Sequence, residues 1–69
     1  MQTAVVKIGD NLKRQRIRKA LTQEELARKA RLTTASVARI ERNETEPRMS
    51  TLRNLAEALD IDPAELVGE

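Results

Sequence analysis

Apolar residues in this chain return three and four positions apart, the spacing of one helix face. Leu52, Leu55, Ala56 and Leu59 form the clearest stripe, an i, i+3, i+4, i+7 run that predicts a packed helix. Leu26, Ala27 and Ala30 make a smaller face of the same kind. Ahead of them, Thr22 and Glu25 have capping-box spacing: the hydroxyl accepts the Glu25 backbone N–H and the carboxylate reaches back, so a helix begins at Gln23. Arg31-Leu32 forms a turn. Thr33 caps the next short helix, in which Val37 and Ile40 point one way while Thr34, Ala35, Ser36 and Arg39 point elsewhere. Upstream, Ile8 and Leu12 mark a first helix over Ile8 to Lys19, opening near Gly9-Asp10 with Ile17 as a flank. Asp62-Pro63-Ala64-Glu65 opens a fifth, with Asp62 as cap, Pro63 at the first helical position and Glu65 at the capping-box position. The pattern predicts an all-α chain.

The stretch from Thr22 to Arg42 is the organising one: two short helices joined by a tight turn, the second with an anchored side and a free side. A helix entering the major groove must be slim near its N-terminus. It must also carry side chains that hydrogen-bond base edges or touch a thymine methyl. Thr34, Ala35, Ser36 and Arg39 meet both demands. A Thr-Thr-Ala-Ser run equally suits any helix N-terminus, where Thr and Ser are common, so these residues alone leave both readings open.

Charge shifts the balance. Residues 1–31 hold nine Lys and Arg against three acids, whereas residues 32–69 hold four against eight. That asymmetry suits a polyanion on one side and water or a partner on the other. A run of long cations is also an ordinary solvated face, and it is the two-helix motif that favours phosphate. The chain has no Phe, Tyr or Trp. Single-stranded nucleic acids and most RNA sites are read by stacking on aromatic rings, so their absence points to duplex DNA. Without His, Cys or Tyr, and with no serine beside a plausible base, an enzyme fails on inventory, and neither cofactor nor metal is expected. Apolar residues never exceed three in succession, so no transmembrane span or signal-peptide core is expected and the chain reads as cytoplasmic. At 69 residues it makes one domain, whose modest burial favours association with a second copy.

Thr22-Gln23-Glu24-Glu25-Leu26-Ala27, then Ala30, Leu32, Thr33, Val37, Ile40-Glu41, Pro47 and Leu52-Arg53-Asn54-Leu55-Ala56-Glu57-Ala58-Leu59 resemble the Cro/C1-type helix-turn-helix family, also called lambda-repressor-like or XRE. The resemblance covers about Ile8 to Leu66. It implies a compact five-helix bundle over residues 8–67, preceded by an arm over residues 1–7, and a transcriptional regulator that binds a near-palindromic operator as a homodimer. By the same resemblance the 34–42 helix enters the major groove, with Thr34, Ala35 and Arg39 as base readers and Ser36 ambiguous. Arg39 is the strongest reader, since a guanidinium grips guanine O6 and N7. Gln23, with Thr22 nearby, meets phosphate at a helix N-terminus. Arg42, and one or more of Arg14, Lys13 and Arg16, add backbone contacts. Arg16, one turn past Leu12, pairs with Glu41 in a largely buried ion pair.

Three places differ from the family's usual pattern. Arg31 occupies a turn position that is usually glycine and calls for positive φ, and Asn43, the next-best left-handed cap, ends the recognition helix. In the loop Glu44-Thr45-Glu46-Pro47, relatives place cations where this chain has two glutamates. Either the loop points away from DNA or binding is weaker there. Ile61, Leu66 and Val67 offer either a dimer surface or a last turn that closes the core with Leu66. Ala4-Val5-Val6 is a disordered arm, a strand pairing with a second copy, or an arm around DNA. The competing reading is a protein-binding module, such as an antitoxin or adaptor, with DNA secondary; Glu44, Glu46 and the acidic second half support it.

Overall fold

A computed structural model describes residues 8–68, so the expected arm over residues 1–7 lies outside the described residues. Five helices follow in order: α1 (Ile8–Arg18), α2 (Gln23–Ala30), α3 (Thr34–Glu41), α4 (Met49–Leu59) and α5 (Ala64–Val67). Among the described residues there is no strand, and no helix is long and apolar enough to cross a membrane. α2 packs on both α3 and α4, while α1 packs on α3 and α5. The helix that carries the candidate readers is thus held from two sides.

The core is aliphatic. Leu12, Leu26, Val37, Leu55, Leu59 and Leu66 are fully buried, with Ala27, Ala30, Ile40, Leu52 and Ala56 around them. Every apolar stripe expected in α2, α3 and α4 faces this cluster. In α1 the sequence reading needs correction. Ile17, expected as an apolar flank, is 58% exposed, and Gln15 is buried instead. At 3.6 residues per turn Gln15 lies only about 60° from Leu12 around the helix, and Ile17 about 140°. Geometry overrides residue type there.

α5 brings two further corrections. Leu66 is fully buried, so the last turn closes the core with it and Leu66 offers nothing to a dimer surface. Ile61 and Val67 remain half-buried against the core. Asp62 caps as expected, its Oδ1 accepting the Ala64 N–H at 2.9 Å, and Pro63 has helical φ and ψ. Glu65 does not complete a capping box; its Oε1 accepts from Gln15 Nε2 at 3.4 Å, which ties α5 to α1.

The helix ends share one device. Ala20, Arg31, Asn43 and Asp60 all have φ between 57° and 62°. After each, a backbone N–H reaches five residues back: Leu21 to Arg16, Leu32 to Ala27, Glu44 to Arg39 and Ile61 to Ala56, at 2.8–3.1 Å. This is the Schellman motif, which satisfies carbonyls that the helix leaves free. None of the four is glycine, so Ala20 and Arg31 each carry about 1 kcal/mol of backbone strain, and Asn43 and Asp60 less.

Candidate nucleic-acid interface

The motif is built from its caps outward. Thr22 Oγ1 accepts the Glu25 N–H at 3.0 Å and Glu25 Oε1 accepts the Thr22 N–H at 2.8 Å, a complete capping box. Hydrogen bonding from the Thr22 backbone, then its side chain, holds the Glu25 carboxyl below its ordinary value, and Arg28 and Lys29 add to this. Arg31 closes α2 in the left-handed region at φ 62°, as the glycine-like turn requires. Thr33 Oγ1 then accepts the Ser36 N–H at 3.0 Å and donates to Ser36 Oγ at 2.9 Å.

From this cap the two sides of α3 diverge. Val37, Ile40 and Glu41 are buried, whereas Thr34, Ala35 and Arg39 are exposed and Ser36 is half-buried. The exposed side borders a groove of about 270 Å³, lined by Ser36, Arg39, Glu46, Arg48 and Ser50 among others. Small residues at the N-terminal end leave the α3 backbone approachable, and Arg39 stands one turn beyond Ala35.

Glu41 fixes that orientation. Arg16 grips it with a fork, Nε to Oε2 at 2.6 Å and Nη2 to Oε1 at 3.1 Å, while Nη1 donates to the Leu21 carbonyl at 2.8 Å. Gln23 Nε2 donates to Glu41 Oε1 at 3.0 Å. The side chains are 12% and 3% exposed, so this is the buried pair that the resemblance implied. It locks the C-terminal end of α3 to α1 and to the start of α2. Gln23, expected on phosphate, is engaged here through one amide hydrogen, and among the described residues the other has no partner.

Asn43 does more than cap α3. Its Oδ1 accepts the Gly9 N–H at 3.0 Å and its Nδ2 donates to Asp10 Oδ1 at 3.0 Å. The α3 end thereby serves as an N-terminal cap for α1. Gly9 is required at this crossing, because a Cβ would collide with the Ile40 carbonyl. Sequence alone had no signal for a bond spanning 34 positions.

The remaining cations differ in freedom. Arg14 is exposed and donates to Asn11 Oδ1 at 3.0 Å. Arg42 is held by Glu44, Nε to Oε2 at 2.8 Å and Nη2 to Oε1 at 3.1 Å. Hydrogen bonding to Arg42, followed by the charges of Arg42 and then Arg39, holds the Glu44 carboxyl below its ordinary value. Glu44 conversely raises Arg42. Two positions apart, these residues are not helical neighbours, so only the turn at Asn43 brings them together.

Helix-turn-helix, as a family, matches residues 12–66. The immunity repressor of Bacillus phage phi105 is 42% identical over 62 residues, 90% of this chain but 43% of that protein, so the chain spans less than half of that relative. The restriction-modification controller protein C.AhdI from Aeromonas hydrophila superposes with a TM-score of 0.85 at 39% identity, covering 88% of this chain and 92% of that one. The P22 c2 repressor, solved with a synthetic operator, superposes with a TM-score of 0.82 at 26% identity over 94% and 96% of the two chains.

Proposed function

Because the chain belongs to the Cro/C1-type helix-turn-helix family of DNA-binding regulators, we propose that it regulates transcription by binding a near-palindromic operator as a homodimer, with α3 in the major groove. The observation that carries this is the exposed Thr34, Ala35 and Arg39 side of a helix whose other side is anchored by Val37, Ile40 and Glu41. Thr34, Ala35, Ser36 and Arg39 read bases; Arg39 grips a guanine, and Ala35 meets a thymine methyl. Thr22, Gln23, Arg14 and Arg42 face phosphates. A P22 repressor of the same fold, solved on operator DNA, supports this pose. One such helix reads few base pairs, so two copies place their helices about 34–36 Å apart on successive half-sites. Half-buried Ile61 and Val67, or alternatively residues 1–7, are proposed for pairing. The protein acts in the cytoplasm, on DNA and without cofactor or metal.

A second reading is a protein-binding module with DNA secondary, favoured by the internal capture of Arg42 by Glu44. Selection from a pool of random duplexes at two salt concentrations separates the two. A regulator enriches a two-fold symmetric site, and Arg39→Ala relaxes preference at one base position. A flat pool with weak, salt-sensitive retention of every duplex overturns the operator reading.

A further inference from the structure

The four Schellman turns differ at one position. Leu21, Leu32 and Ile61, each following the left-handed residue, pack partly buried against the core, the apolar contact that usually accompanies this motif. After Asn43 the same position is Glu44, exposed and turned onto Arg42. Its backbone is as fixed as the others, since its N–H donates to the Arg39 carbonyl at 3.0 Å. The carboxylate is therefore presented from a hydrogen-bonded turn.

We propose that Glu44 is a built-in competitor for DNA phosphate, holding the Arg42 guanidinium in the two-pronged geometry that a phosphate would otherwise take. This inference rests on the DNA-binding reading above. Three features support it. The fork is bidentate, the arrangement in which a guanidinium recognises carboxylate and phosphate alike. Both side chains are more than half exposed, at 58% and 52%, so water and a phosphate reach the pair and exchange is cheap. Arg39, the foremost candidate base reader, lies close enough for its charge to act on the same carboxylate. That influence is weaker than Arg42's own, so Glu44 acts chiefly on Arg42, a phosphate contact. Its effect is sequence-blind: it weakens operator and non-operator DNA alike and lets contacts in the groove decide occupancy.

The test is a double-mutant cycle on duplex binding, using the selected operator and a scrambled duplex across a salt series. Glu44→Gln tightens both duplexes by about three- to tenfold near 0.1 M salt, and steepens the log–log salt slope by about one, the increment of one added phosphate contact. The ratio of operator to scrambled affinity does not change. Arg42→Gln costs about twofold in the wild-type background and about tenfold in Glu44→Gln, because only there is the guanidinium uncommitted. Circular dichroism melts of each variant verify that the fold is retained. Equal affinities and slopes for wild type and Glu44→Gln, or an equal cost of Arg42→Gln in both backgrounds, overturn the inference while leaving the DNA reading intact. A wild-type protein that retains no duplex at all overturns both.

Discussion

Two arginine–glutamate forks meet within four residues at the end of α3, and they have almost the same bond lengths. Glu41 takes Arg16 at 2.6 and 3.1 Å; Glu44 takes Arg42 at 2.8 and 3.1 Å. Their surroundings are opposite. The first pair is 12% and 3% exposed, the second 58% and 52%. Identical chemistry therefore does different work. In the buried pair each charge has lost its water and depends on its partner, so the pair fixes where α3 sits. In the exposed pair each charge has water as a substitute, so the pair contributes little to stability and is free to respond to an outside ligand.

The largest expected effect tests the buried side of that contrast. Glu41→Gln leaves Arg16 charged at a buried site and costs about 3–5 kcal/mol. A domain of this length has roughly 3–10 kcal/mol in total, so much of the population unfolds, which urea titration followed by circular dichroism measures. Replacing both partners, as Arg16→Met with Glu41→Leu, removes the stranded charge and recovers more than half of the loss. A double variant no more stable than the single one would mean that Gln23 and the Leu21 carbonyl depend on the pair as strongly as the charges depend on each other.

Asn43 stands between the two forks and separates backbone from side-chain contributions. Asn43 and Arg31 share the left-handed conformation at φ 60° and 62°, where glycine is the easier residue. Asn43 alone carries bonds to Gly9 and Asp10. Asn43→Gly therefore loses about 1 kcal/mol despite the easier backbone, whereas Arg31→Gly gains about 0.5–1 kcal/mol. Equal signs in the two melts would remove the tertiary role of Asn43.

These residues also mark what the sequence could reveal. Capping residues and apolar spacing are local signals, so the start of α2, the Thr33 cap of α3 and the stripe of α4 were legible from neighbours within one or two turns. The positive φ at Arg31 came from the resemblance, since the family usually has glycine in this turn and the turn imposes its geometry on another residue. Arg16–Glu41 came from resemblance, since nothing local relates positions 25 apart. Ala20 at φ 58° left no trace, as alanine has no left-handed preference to notice. Gln15 was hidden because its amide suggested solvent, although its angle around α1 places it inward. The exposed side of α3 was visible as a set of residue types, but the internal partners of Gln23 and Arg42 were not, because both depend on how the turns fold back.

The smallest effects lie on the exposed side, and pH resolves them. Glu25 and Glu44 both have carboxyls held below their ordinary values, by Thr22 and by Arg42 respectively. A carboxyl depressed in the folded state stabilises the fold fully above its ordinary value, and loses that contribution as pH falls through the depressed one. Glu25→Gln keeps a side chain able to complete the capping box and removes only the charge. Wild type should therefore melt slightly higher than Glu25→Gln at pH 7, with the gap closing as pH falls below about 4.5. Glu44→Gln should follow the same course with a smaller gap, its Tm at pH 7 within about 2 °C of wild type, since water replaces the lost partner. A gap for Glu44→Gln that approaches the Glu41→Gln value would mean that exposure does not separate the two forks, and Glu44 would then be holding the end of α3 in place, not competing for phosphate.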